Sequence, residues 1–290
     1  MNIVAMKTGA LKTFAPALLA VGLLAGAAAV GQQSQEGRAA VGQQPRGAAA
    51  VGSQPRPAPR WPDGRISFTG TATDVGNWEG PANATIFSYI ENGKPLVPAA
   101  SLPTNLTVDQ VPFLPGVRDL FMSRESQAED PHTRCKPSGG SRFWHTPYGI
   151  EILDMPETNE VIFLGVGAPH SWRIVYTDRR EHPKNLKPTW YGDSIGRWEG
   201  DTLVVETVGF NERFWLTREG VPHTNKLRLT ERLSRPNFNQ LRYEATVDDP
   251  GAYSAPWTGG WHLRWSAGNE PFDYLCQENN RDPERMIGSQ

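Results

Sequence analysis

From Tyr148 onward the chain repeats one pattern. Short stretches alternate apolar with polar residues, and Gly, Pro, Asn or Asp ends each of them. A period of two puts successive side chains on opposite faces of an extended chain, so each stretch reads as a strand. The pattern places strands at 149–153, 160–166, 171–177, 195–198, 202–208, 226–233, 240–247, 261–265 and 272–276. The stretch 160–166 is apolar almost throughout, which implies burial on both faces. Helical periodicity is confined to 117–124, where Leu120 and Phe121 are expected to face inward. Sequential short strands joined by short turns must close on themselves or pack face to face to protect their edges. The expected fold is therefore all-β, an antiparallel meander closed as a lipocalin-like barrel with an interior cavity. A β-sandwich is the alternative. The Gly- and Pro-rich segments 95–115 and 131–147 give the barrel an irregular N-terminal wrap.

The chain begins with Lys7 and Lys12, followed by an apolar run over 14–30 that contains Ala27, Ala28 and Ala29. A positive start, a short apolar stretch and small residues at its end describe a cleaved secretory signal. A retained anchor is the alternative, but the run is near the lower length for a span and is rich in Ala and Gly. The tetrapeptide Ala-Ala-Val-Gly then recurs at 28–31, 39–42 and 49–52 among Gln, Arg, Pro and Gly. Such a stretch has too little apolar surface to offset its ordering entropy. The expected organisation is a signal peptide at 1–29, a flexible linker at 30–60 and one β-rich domain at 61–290. The destination is periplasmic or secreted, with no membrane contact after cleavage. Two cysteines, Cys135 and Cys276, would meet an oxidising compartment and are expected to form a disulfide, with two unpaired buried thiols as the alternative.

The formal net charge is −2 and there is no run of Lys or Arg, so nucleic acid is not an expected partner. No Gly-rich phosphate loop, Gly-x-Ser-x-Gly elbow, Cys-x-x-Cys pair or His-x-x-x-His spacing occurs. No cofactor is expected, although a zinc site gathered from several strands stays open. Ten Trp suit broad β surfaces and pockets that stack flat ligands. The expected partner is a small hydrophobic, phenolic or carbohydrate molecule. Composition does not set the oligomeric state.

Residues 188–211 read Pro-Thr-Trp-Tyr-Gly-Asp-Ser-Ile-Gly-Arg-Trp-Glu-Gly-Asp-Thr-Leu-Val-Val-Glu-Thr-Val-Gly-Phe-Asn. This run resembles the hallmark of a family of exported bacterial proteins of unassigned function, common in acidobacteria and other soil bacteria. Shorter matches lie at 60–64, 130–137 with Cys135, 174–183, Pro222-His223, 229–233, 248–257 and 274–280. The resemblance covers most of 61–280, while 83–124 depart from the family's usual spacing. It implies a secreted, β-rich protein and brings no mechanism with it.

Candidate chemistry rests on carboxylates that fall on apolar strand faces. Glu206 shares a face with Val204 and Val208, and Glu231 shares one with Leu227, Leu229 and Leu233. A carboxylate in such a setting needs a partner or has a raised pKa. Together the two could act as acid and base in a cofactor-free lyase, isomerase or hydrolase, assisted by His223 or His170 in loops. Equally, Arg173, Arg197, Arg228 or Arg242 could neutralise them in a structural network. Trp190, Asp193, Arg197, Tyr253 and Trp257 are the candidate ligand contacts, the last two as an aromatic rim behind the Asp248-Asp249-Pro250-Gly251 turn. A third reading is a cell-surface structural or interaction module.

Overall fold

The structure, a computed structural model, describes residues 55–80, 85–91, 94–96, 98–124, 129–146, 148–167 and 171–276. The expected signal segment and residues 30–54 of the expected linker lie outside them, as does His170. The described part of that linker, 55–60, already touches the domain. Arg56 lies 3.0 Å above the Phe238 ring, and Arg60 makes a two-pronged ion pair with Asp201 at 2.8 and 2.6 Å.

The strands are β1 (Gly76–Glu79), β2 (Tyr89–Glu91), β3 (Lys94–Leu96), β4 (Ile150–Met155), β5 (Glu160–Gly165), β6 (Ser171–Tyr176), β7 (Asp193–Glu199), β8 (Thr202–Val208), β9 (Arg228–Asn237), β10 (Gln240–Asp248) and β11 (Trp257–Ala267). Nine of them close into a barrel in the order β1-β11-β10-β9-β8-β7-β6-β5-β4, and β2 and β3 form a separate hairpin. The order is a meander, as the alternation implies, and the sandwich alternative is not formed. One pairing departs from it: β6 and β7 run parallel. Residues 177–192 must therefore carry the chain back along the barrel before β7 begins.

β1 was not legible as a strand, yet it closes the barrel. It pairs with β11 over four positions and meets β4 through Trp78 and Ile150. Conversely, 272–276 is irregular and not a strand. Gly268, at φ +76°, turns the chain out of β11, and Pro271 has no N–H to give to a ladder. The helix α1 (Pro115–Ser123) forms as expected, but Leu120 is exposed. Phe121 turns in, against Phe113 and Phe87. In β5 burial alternates along the strand instead of covering both faces.

Alternation decides what fills the barrel. Leu229, Glu231, Leu233 and Arg235 of β9 point inward, with Leu241, Tyr243, Ala245 and Val247 of β10 and Trp257, Trp261, Leu263 and Trp265 of β11. The single-turn 3-10 helix Gly140–Trp144 is wholly buried and delivers Trp144 against Phe163 and Tyr243. Large aromatic side chains thus occupy the interior at this level, where an open lipocalin-like cavity was expected.

One end of the barrel is closed by the N-terminal segment. The Arg235 guanidinium, nearly fully buried, donates to the carbonyls of Ser67, Thr69 and Phe238 at 2.7–3.3 Å. It also lies 4.7 Å from the Trp78 ring and 5.1 Å from that of Trp265. Carbonyl oxygens and aromatic faces take the place of a carboxylate here. Burial, with a smaller contribution from Arg56, still pulls its pKa down to about 10.

Cys135 and Cys276 are bonded, with 5.6 Å between Cα atoms across a separation of 141 residues. On the chain-entropy account, closing so long a loop in the unfolded state is worth about 4–5 kcal/mol as an upper value. The Cys135→Ser/Cys276→Ser variant is expected to melt roughly 10 °C lower, since 1 kcal/mol moves a domain of this size by about 2–4 °C. A calorimetric scan of the two proteins checks this. An unchanged midpoint would show that the bond constrains nothing in the unfolded chain.

Candidate functional site

Val205 is the cross-strand partner of Glu231, whereas Glu206 faces Thr230. The two carboxylates therefore lie on opposite faces of the wall and do not form the expected acid/base pair. Strand parity explains the correction: both occupy apolar-looking faces, but they differ by one register step.

Glu231 is fully buried. Its Oε1 accepts from Trp144 Nε1 at 2.8 Å and from the Tyr243 hydroxyl at 2.9 Å. Its Oε2 lies 2.7 Å from Arg173 Nη1. That contact is an ion pair without hydrogen-bond alignment, because Nε, Nη1 and Nη2 of Arg173 all lack a hydrogen-bonded partner among the described residues. The guanidinium lies among the rings of Phe163, Phe143 and Trp144, at 5.0, 5.9 and 6.0 Å from their centroids. Desolvation and the Glu231 charge push the Tyr243 hydroxyl well up. It stays protonated and serves as a donor.

Glu206 belongs to an outer cluster. Arg228 Nη1 lies 2.5 Å from its Oε1, and His182 Nε2 lies 3.4 Å from the same oxygen. His182 Nδ1 is 2.6 Å from Asp193 Oδ1. Of the four arginines named as partners, Arg173 pairs with Glu231 and Arg228 with Glu206, while Arg197 holds Glu199 and Arg242 holds Glu244. His182 was not singled out in the sequence. It lies in the crossover 177–192, and its meeting with β7 and β8 follows only from the parallel pairing.

The remaining candidates separate. His223 is set between carbonyl oxygens, Nδ1 at 3.2 Å from Thr224 and Nε2 at 3.1 Å from Phe214, with its ring on Phe214. It joins neither carboxylate. Tyr253 and Trp257 are core residues instead of a rim: the Tyr253 hydroxyl donates to the Pro222 carbonyl, and Trp257 stacks on Phe87. Asp249, at the turn beside them, accepts from Thr224 N at 2.5 Å and from its hydroxyl at 2.6 Å. Arg197 is exposed and bound to Glu199. Trp190 is half-buried near Phe214. Among the described residues no group of three or more His, Cys, Asp or Glu side chains is arranged to hold a metal ion.

Of the named ligand contacts, Asp193 lines a cleft beside β6 and β7. Between β6 and β7 the wall is joined only at Val175–Ser194 and Tyr176–Ile195 among the described residues. Beside this short seam lies a cleft of about 210 Å³, lined among others by Trp172, Arg173, Tyr176, Tyr191, Asp193 and Ser194. Gly192 makes the entry to β7. Its φ is +66°, and a Cβ there would stand 2.5 Å from the Val208 carbonyl oxygen. Burial pushes the Tyr191 hydroxyl up to about 12, despite the nearby Ser171 and Arg173. Trp172 is 63% exposed, an unusual position for so large an apolar side chain on a strand.

A comparison with protein-family models, curated proteins and solved structures finds no match to this chain.

Two measurements follow from these contacts. Arg173→Met leaves the buried Glu231 without its counter-charge, and should cost about 3–5 kcal/mol. Arg173→Met/Glu231→Met should cost much less than the sum of the two single changes. Urea unfolding of the four proteins reads the coupling, and additive losses would mean the ion pair contributes nothing. The second concerns pH. Burial lowers the pKa of His223, and burial with Arg142 and Arg218 lowers that of His132 to about 3. Between the unfolded value of about 6.5 and these lower values the unfolded chain holds more protons. Stability is thus full above about pH 6.5 and falls as pH drops toward 3. Unfolding at pH 7 and pH 5 should show the loss, and His132→Gln should reduce its slope if the protein still folds.

Proposed function

We infer that this is an exported protein that binds a small organic molecule, with the β6–β7 cleft as its site. The observation that carries the reading is the exposed Trp172 at a cleft that also presents Tyr176 and Tyr191 beside a few polar groups. Ligand sites combine apolar, aromatic walls with a small number of fixed polar contacts. A cavity of about 150 Å³ takes up benzene in a well-studied lysozyme variant, so about 210 Å³ suits one ring with short substituents.

Export rests on the signal-like N-terminus and agrees with the disulfide. Among the described residues no helix is long and apolar enough to cross a membrane. The resemblance of 188–211 to exported soil-bacterial proteins points the same way. In the fold the hallmark is largely architectural. Gly200 turns at φ +59°, Asp201 holds Arg60, and Trp198 stacks on Phe68. Its Gly192-Asp193-Ser194 portion lines the cleft.

Turnover by Glu206, Glu231 and His223 finds no support in their placement, so binding is the preferred reading. Simple phenols titrated into the protein should perturb the indole signal of Trp172 by NMR and quench its fluorescence. Trp172→Ala should weaken binding about tenfold with little change in the melting temperature, because the side chain is largely in water. Equal affinity in the variant would move the site away from the seam.

A further inference from the structure

Resting on the cleft reading above, we propose that the ligand of the β6–β7 cleft carries a neutral apolar chain, which leaves the cleft over Ile174 and lies across the outer face of β6, β5 and β4. Trp172 and Ile174 line the cleft. Both point outward, since their neighbours Ser171, Arg173 and Val175 are the buried residues of β6. Cross-strand register continues this surface away from the cleft. Ile174 lies opposite Ile162 and Ile162 opposite Leu153, while Trp172 lies opposite Leu164. The alternation that buries Val161 and Phe163 in β5, and Ile150 and Ile152 in β4, turns Ile162, Leu164 and Leu153 outward, where each keeps part of its surface in water. Elsewhere the exterior is polar: β9 and β10 turn Arg228, Thr230, Arg232, Arg242, Glu244 and Thr246 outward.

A contiguous apolar face on a polar exterior marks a binding surface, and its size decides what binds. Three strands of six residues each span roughly 14 by 20 Å. That is about a third of the ~800 Å² that each partner gives to a stable protein–protein interface. A second copy of the chain has too little to hold, whereas a linear chain fits. Two inter-strand spacings of about 4.8 Å put Leu153 roughly 10 Å from Ile174, the reach of about eight carbons. Outward side chains stand about 7 Å apart along a strand, so Trp172 and Leu164 border this path on one side and Tyr176 on the other. Glu151 and Glu160 share the face, opposite Leu164 and Tyr176. Desolvation already raises the pKa of Glu151, and a chain ending in a carboxylate would add a like charge beside it. The chain is therefore uncharged.

The test is calorimetric titration of the protein with para-cresol, para-butylphenol and para-hexylphenol. The indole shift of Trp172 in NMR reports the ring, and methyl shifts at Ile162, Leu164 and Leu153 report the chain. Full burial of a methylene is worth about fourfold in affinity and cover on one side about twofold, so affinity should rise roughly thirtyfold from para-cresol to para-hexylphenol. In Leu153→Thr/Ile162→Thr the rise should fall below about fivefold while para-cresol binds as before. Both positions face outward and threonine suits a strand. Near-ultraviolet circular dichroism checks folding; if the variant does not fold, the methyl shifts of the unaltered protein decide. Affinity independent of chain length, or a rise without methyl shifts on this face, would overturn the proposal and leave the cleft as the site of the ring. Sedimentation of the free protein as a dimer that Ile162→Thr dissociates would assign the face to a second copy and overturn it as well. Absence of an indole shift with para-cresol would instead overturn the cleft reading on which the proposal rests.

Discussion

A fully buried carboxylate inside a β-barrel must be compensated, and the compensation of Glu231 organises the middle of this one. Its partners come from β6, β10 and the 3-10 helix Gly140–Trp144, while Glu231 itself belongs to β9. Four separate parts of the chain are thereby tied to one group. An interior ion pair is poor evidence of net stability against an apolar replacement, because both ions are desolvated. Its effect is on arrangement. A shift of β9 by one residue would put Glu231 outside and leave Arg173 as an uncompensated interior cation.

The strand that carries Arg173 also borders the cleft. β6 carries Arg173 inward and Trp172 outward on consecutive residues, so a single short strand supplies a charged group to the interior and an aromatic side chain to the cleft. Parallel pairing with β7 over only two positions among the described residues leaves the wall open beside them. The long return through 177–192 brings His182 to Asp193 and fixes one carboxylate oxygen. The opening and its polar contacts thus arise from one topological irregularity in an otherwise regular meander.

At the opposite extreme of local chemistry, Arg235 is buried with no carboxylate. Three backbone carbonyls and three aromatic rings surround it, and they belong both to the barrel and to the segment that closes its end. The segment 67–69 has no regular secondary structure, so its carbonyl oxygens are free of ladder pairing and can serve as acceptors. This explains how an irregular wrap becomes an integral part of the domain.

The sequence by itself determined the all-β class, most strand positions from β4 onward, the apolar face that carries Glu231 and the two cysteines available for pairing. Those features depend on residue alternation, on turn-forming residues and on the small number of cysteines, all of which are local or countable. Tertiary structure alone decided that Glu206 and Glu231 face opposite ways, that Arg173 is the partner of Glu231, and that β1 completes the wall. It also decided that β6 and β7 run parallel, which made the cleft and recruited His182. Strand direction, cross-strand register and barrel closure depend on contacts between residues far apart in the chain, and no periodicity within one segment encodes them.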